Sequence, residues 1–208
     1  RWGYQSGKIP AHTSWVWMHG ASVGESLSAL GIFRHLRDRM ASVRLLLTSG
    51  TVTSARMCAG LLGKNDRHHL APFDVPVLWW WFLKRWRPRF GVIIEAELWP
   101  ATLAASRWAK VPLVWCNARV SDASYARWKK WRALGLLRSM IQSFQVCFSS
   151  SSAQSQRLCE LGAKRVVQTP SWKWLNAPLD YDLALYHQWS QALQGRCVWV
   201  AASIHNGE

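Results

Sequence analysis

A chain of 208 residues with 26 Lys and Arg against 11 Asp and Glu carries a formal charge of +15, and half of it is apolar; its pI is near 10.4. That is core material for one domain or one and a fraction, and with only 18% charged residues it excludes intrinsic disorder. A bilayer-spanning helix needs about 18 or more consecutive apolar residues, whereas the longest run, from Val75 to Leu83, is about half that length and holds Pro76.

Short runs rich in Val, Ile, Leu and Trp recur at 15–19, 43–48, 90–95, 112–117 and 144–148, each separated by room for a helix. The alternation predicts a parallel sheet with crossover helices, and the near-continuous apolar character predicts strands covered on both faces. Helices are expected at 24–40, 54–62, 77–86, 101–110, 128–139 and 153–161. A weaker strand at 165–169, a Pro-containing linker, a helix at 182–193 and a buried-strand pattern at 197–202 follow. The chain opens on Arg1 rather than Met and closes soon after an apolar run, so it reads as part of a longer protein. The expected division is a Rossmann-like domain over 1–170, a linker and helix over 171–196, and the opening of a second domain over 197–208. An orphaned last strand predicts some aggregation or dimer formation.

Five widely spaced cysteines without a C-x-x-C pair argue against a disulfide framework or a zinc site. Cys116 and Cys147 fall in strand-like runs and read as small buried hydrophobes, which fits a reducing, cytosolic setting. The excess of positive charge implies an anionic partner: nucleic acid, an anionic membrane surface or a phosphorylated substrate.

Polar residues gather where the strands end, in His19-Gly-Ala-Ser-Val-Gly-Glu25, Thr48-Ser-Gly-Thr-Val-Thr-Ser54, Glu95-Ala-Glu-Leu-Trp-Pro100 and Asn117-Ala-Arg-Val-Ser-Asp122. In an open α/β sheet these turns share the carboxyl edge, where such folds bind ligands. Gly20 and Gly24 allow tight backbone geometry, and Ser22 is placed to cap a helix that Glu25 begins. A carboxylate in a first helical turn is held ionised and can serve as a general base toward a hydroxyl, although spacing alone favours a simple helix-end charge. Ser49, Gly50 and Thr51 make a helix start suited to an anion, without the Gly-Lys-Ser/Thr ending of a P-loop, and capping accounts for them equally well. Glu95 and Glu97 stand where a strand stops, placed to bind a metal, to pair with Arg119 or to orient a substrate. The stretch 75–89 joins Trp79, Trp80, Trp81 and Trp86 to Lys84, Arg85, Arg87 and Arg89, the composition of a membrane-interface anchor or of a helix packed on the sheet.

These turns, with Pro72-Phe-Asp-Val-Pro76, Ser124-Tyr-Ala-Arg-Trp128 and the closing Ala-Ala-Ser-Ile-His-Asn-Gly-Glu208, resemble over essentially the whole chain the 3-deoxy-D-manno-octulosonic acid (Kdo) transferases of Gram-negative bacteria. The resemblance implies an inverting glycosyltransferase of the GT-B fold. One Rossmann-like domain receives the lipid A precursor, a second binds the donor CMP-Kdo, and an anchor holds the protein to the cytoplasmic face of the inner membrane. This chain would be the acceptor-binding domain with the first strand of the donor domain. It assigns Glu25 the role of general base, and Glu95 and Lys173 that of stabilising the transition state, with Glu97 as the alternative carboxylate. Ser22, Gly24, Ser49, Gly50, Thr51, Glu97, Arg119, Ser203 and His205 would contact substrate; no metal and no cofactor are implied. The basic excess, including Arg56, would then face acceptor phosphates and anionic inner-membrane lipid. Pro170-Ser-Trp-Lys173 departs from the usual Gly-Asn-Leu-Lys, Ile204 from Thr, and Ser149-Ser-Ser151 from Ala-Gln-Ser. Two other readings are a GT-B transferase with another acceptor, and a basic module for membrane or nucleic acid. For nucleic acid no RRM, KH or helix-turn-helix signature is found.

Overall fold

The computed structural model describes residues 14–95, 98–130, 134–172, 181–200 and 202. Among them, β1 (Ser14–Gly20), β2 (Val43–Ser49), β3 (Arg67–Leu70), β4 (Phe90–Ile94), β5 (Leu113–Cys116), β6 (Phe144–Ser149) and β7 (Val166–Gln168) form one parallel sheet in the order β3-β2-β1-β4-β5-β6-β7. The helices are α1 (Val23–Arg39), α2 (Val52–Ala59), α3 (Pro76–Trp86), α4 (Pro100–Trp108), α5 (Asp122–Lys130), α6 (Leu134–Ile141), α7 (Ser152–Glu160) and α8 (Leu183–Leu193). The fold is α/β and Rossmann-like, as the alternation of runs predicts.

Strand geometry sends successive side chains to opposite faces, and each face has its own core. Trp15 and Trp17 of β1 pack with Trp79, Leu83 and Trp86 of α3, Leu103 of α4, Leu137 of α6 and Leu158 of α7. Val16 and Met18 of the same strand pack with Leu30 and Phe33 of α1 and Cys58 of α2. Each fully buried large apolar side chain contributes roughly 1.5–3 kcal/mol relative to exposure. With helices on both faces a strand has no polar side to show, which is why these runs read as continuous. Cys116 and Cys147 are buried in adjacent strands, and burial pushes both thiols up to about 12.

Three elements differ from the sequence reading. The strand β3, Arg67-His68-His69-Leu70, lacks an apolar run because its side chains are only half-buried or exposed; among the described residues it pairs on one side, with Leu46–Ser49 of β2. Over the helix expected at 128–139 the described residues are helical as α5 and α6, with residues 131–133 outside the described ones; the difference is that helix already begins at Asp122, where the Ser121 hydroxyl accepts the Ser124 N–H at 3.1 Å. The residues Cys197, Val198, Trp199 and Val200 lie in no strand, since a strand requires a hydrogen-bonded neighbour. The chain divides into two compact units, Arg1–Asn176 and Ala177–Glu208. In the second, Asp182 caps α8 by accepting the Ala184 and Leu185 N–H groups at 2.8 and 3.1 Å.

The strand order places the site. From β1 the chain runs outward through β2 to β3, then returns to lay β4, β5, β6 and β7 on the other side. The order therefore reverses between β1 and β4, and at such a switch point the loops leaving the two strands part and open a crevice at their carboxyl ends.

Candidate functional site

The turn after β1 forms one wall of that crevice. Ser22 is the N-cap of α1, its hydroxyl accepting the Glu25 N–H at 3.3 Å. Glu25 reaches back, Oε2 accepting the Ala21 N–H at 2.7 Å and the Ser22 N–H at 3.3 Å. This reciprocal capping box satisfies helix donors that would otherwise lack partners, and it fixes the half-buried Glu25 carboxylate at the strand end. Ser26 Oγ ties the turn further, donating to the carbonyls of Gly20 and Ser22 at 3.1 and 2.8 Å. The two glycines differ: a Cβ on Gly20 would stand 2.7 Å from the Glu25 carbonyl carbon, whereas one on Gly24 meets nothing within 4 Å. The tight geometry expected of both belongs to Gly20 alone, because Gly24 already lies inside α1.

The turn after β2 docks onto the first, the Gly50 N–H donating to the Ala21 carbonyl at 3.1 Å. Gly50 is exposed, and Thr51 caps α2 by accepting the Ser54 N–H at 3.1 Å. Ser49 is buried, with its hydroxyl 2.8 Å from His68 Nε2 on β3. Sequence reasoning passed over His68 because a polar edge strand gives no apolar signal. Burial first, and the neighbouring His69 second, lower His68 to about 4. Beneath this wall His19 is fully buried; desolvation lowers it to about 4 against an opposing hydrogen bond to the Thr48 backbone. Its Nδ1 lies 2.9 Å from Thr48 Oγ1, which also accepts the Trp17 indole N–H at 2.9 Å.

The opposite wall comes from β4 and β5. Glu95 and Asn117 directly follow these adjacent strands, and both have left-handed backbones, with φ of 60° and 50°. Such conformations are costly outside glycine and persist where surrounding contacts impose them, often at functional sites. For Glu95 the contacts are its N–H, donating to the Cys116 carbonyl at 2.8 Å, and its carbonyl, which accepts the Trp115 indole N–H. For Asn117 the contact is Oδ1, which accepts the Trp172 N–H at 3.0 Å. Further along the turn, the Val120 N–H donates to Gln154 Oε1 at 2.8 Å, and Arg157 of α7 donates to the Val120 carbonyl while pairing with Asp122. Arg119 is exposed on this pinned turn and enters neither of the two ion pairs seen among the described residues, Arg37 with Asp66 and Arg157 with Asp122. In the motif around Pro72, Asp74 Oδ1 accepts the Thr102 N–H at 3.2 Å, holding the start of α4.

The structure thus brings Ser22, Gly24, Glu25, Ser49, Gly50, Thr51, Glu95 and Arg119 to one sheet edge. Glu97, Lys173, Ser203 and His205 lie outside the described residues. Among the described residues, no group of three His, Cys, Asp or Glu is placed to hold a metal ion. On α3 the tryptophans divide: Trp79 and Trp86 are buried, Trp81 is 62% exposed beside an exposed Val77, and the Lys84 ammonium lies 6.0 Å from the Trp80 ring centre. None of the helices among the described residues is long and apolar enough to cross a membrane.

The fold is shared with solved structures. It matches the S. aureus MnaA-UDP co-structure over 85% of this chain and 51% of that one (TM-score 0.58, 9% identity). It matches UDP-N-acetylglucosamine 2-epimerase from Rickettsia bellii over 77% and 46% (TM-score 0.53, 13% identity). At the level of sequence, residues 1–175 match the family described as 3-Deoxy-D-manno-octulosonic-acid transferase (kdotransferase), and the chain belongs to that family. Relatives named 3-deoxy-D-manno-octulosonic acid transferase include those of Rickettsia felis (34% identical, 95% of this chain, 43% of the relative) and Bordetella pertussis (32%, 100% and 49%). A probable mitochondrial one from Arabidopsis thaliana is 30% identical over 100% of this chain and 47% of its own length. The chain spans about half the length of these curated relatives.

Proposed function

We propose that this chain is the acceptor-side half of an inverting glycosyltransferase that moves Kdo from CMP-Kdo to a lipid A precursor. The reading rests on the family membership and on one observation, a carboxylate locked by a capping box at the topological switch point. Glu25 would take the proton from the attacking acceptor hydroxyl. Its Oε2 is already held by two N–H groups of the turn, so the group waits in a fixed place and little rearrangement precedes the reaction. Glu95, fixed across the crevice by its strained backbone, would face the anomeric carbon as positive character develops there while CMP departs. Lys173 would offset the negative charge of the sugar acid or of the leaving group. Ser22, Gly24, Ser49, Gly50, Thr51, Glu97 and Arg119 would line the acceptor side, and Ser203 and His205 the donor side.

The exposed Trp81 and Val77, with Lys84 and Arg85 on the same helix, fit an anionic inner-membrane surface on the cytoplasmic side, where the acceptor would lie.

The test is Kdo transfer, from CMP-Kdo generated in situ to a lipid A precursor, by a transferase of full family length carrying this half. Gln also closes a capping box, so Glu25→Gln keeps the turn while removing the base and its favourable charge at the helix N-terminus. Turnover should fall by about 10²–10⁴-fold, with a stability loss of no more than about 1 kcal/mol. A variant that transfers at the parent rate refutes the assignment of the base. A parent that neither transfers nor binds acceptor refutes the function.

A further inference from the structure

We infer that Gly50 is a positioning residue for Glu25, fixing its carboxylate relative to the sheet; this rests on the role proposed above for Glu25. The capping box is a local device, since its bonds all lie between residues 21 and 25. On its own it sets the carboxylate relative to α1 and not to the neighbouring strands. Gly50 supplies the link outward, its N–H donating to the Ala21 carbonyl at 3.1 Å. That carbonyl shares a peptide with the Ser22 N–H, which donates to Glu25 Oε2 at 3.3 Å. On the other side, the Gly50 N–H shares a peptide with the Ser49 carbonyl, which accepts the Ala71 N–H at 2.8 Å. Two peptides thus join three hydrogen bonds in a line from the end of β3, across the turn after β2, to the carboxylate. Bonds in such a line polarise one another, each bonded carbonyl making the N–H of its peptide a better donor.

The line continues the ladder of the sheet. Ser49 stands opposite Gly20 of β1 and Leu70 of β3, so Ala21, Gly50 and Ala71 are the next residues in register. The rest of the turn points the same way. Buried Ser49 has its hydroxyl 2.8 Å from His68 Nε2, which ties the end of β2 to β3 by side chain as well. Thr51 Oγ1 accepts the Ser54 N–H at 3.1 Å. A turn whose sequence suits an anion therefore spends its Gly50 N–H and its Thr51 hydroxyl on protein groups. Space, and not a left-handed backbone, calls for glycine at position 50: a Cβ there would stand 3.1 Å from the Ala21 carbonyl oxygen and 3.5 Å from its Cα. That approach is tighter than ordinary contact, so an added methyl displaces the 21–22 peptide by a few tenths of an ångström, and with it the Ser22 N–H that holds Glu25.

Gly50→Ala, in a transferase of full family length carrying this half, is the test. Misplacement of a catalytic group by about 1 Å costs on the order of 100-fold in rate. The smaller shift should cost about 10-fold in kcat, with acceptor KM little changed. In a Glu25→Gln background the same substitution should add almost nothing to the loss, because the base it positions is gone. A kcat at the parent value in Gly50→Ala overturns the inference, as do losses from the two substitutions that simply multiply. So does a raised acceptor KM at the parent kcat, which would make Gly50 a substrate contact. Should Gly50→Ala not fold, hydrogen exchange in the parent still decides: the Gly50 amide, although on an exposed residue, should be protected. An amide there that exchanges as fast as in an unfolded chain refutes the inference. The two assignments fail differently. A Glu25→Gln protein with full turnover refutes the role of Glu25, and with it any positioning of that residue for catalysis. A slow Glu25→Gln beside a fully active Gly50→Ala refutes the positioning alone.

Discussion

Gly20 and Gly24 lie four positions apart in one motif, yet different physics governs them. A side chain on Gly20 would press on the main chain of Glu25 and Ser26, at 2.7 and 2.8 Å, and backbone atoms cannot swing aside as a flexible side chain can. Gly20→Ala should therefore push the first turn of α1 away from β1, cost about 1–3 kcal/mol in urea unfolding, and reduce transfer by displacing Glu25. Gly24 faces open space inside a helix, so Gly24→Ala should raise stability by about 0.4–1 kcal/mol. Equal destabilisation by the two would mean that the close approach at Gly20 is not what its glycine serves. Their motif was legible in sequence, but which glycine carries the constraint was not, since a close approach depends on where the helix lies after folding. Asn117 illustrates the same limit, because its partner is 55 positions away.

Among the elements, α3 carries the clearest division of labour. Trp79 is buried against Trp17 and His19, with ring centres 5.4 and 5.8 Å away, while Trp81 two residues later is exposed. Trp79→Ala should cost about 3–5 kcal/mol. Trp81→Ser should leave stability within about 0.5 kcal/mol but weaken binding to phosphatidylglycerol-rich vesicles. Vesicle binding unchanged in Trp81→Ser would refute the role of this face at a membrane. The Trp and Arg content of the stretch could be read from sequence, and so could the strands covered on both faces, because burial on two sides leaves an unbroken apolar run. The strand β3 could not: its side chains are half-buried or exposed, so it carries no apolar run to be read.

At the scale of the whole molecule, acid should unfold this chain in a definite window. His19 and His68 titrate near 4 in the folded protein against 6.5 for a free imidazole, chiefly because burial disfavours their charged forms. Above pH 6.5 both are neutral whether folded or not, and they add no pH dependence. Below it the unfolded chain takes up protons that the folded chain refuses, so stability falls as pH drops and levels off only near pH 4. For fully buried His19 the loss is on the order of 3 kcal/mol; His68 is partly exposed and contributes less. The chain also carries a +15 charge whose self-repulsion grows as carboxylates protonate, and salt separates the two effects. Repulsion between exposed cations fades over the Debye length of about 8 Å at 0.15 M salt, whereas desolvation inside the sheet edge is indifferent to added ions. Urea midpoints measured from pH 7.5 to 4 should therefore begin to fall near pH 6.5 and keep falling at high salt. Midpoints that become flat once salt is added would mean that the imidazoles take up protons in the folded state, and that the buried network of Trp17, His19 and Thr48 opens to water.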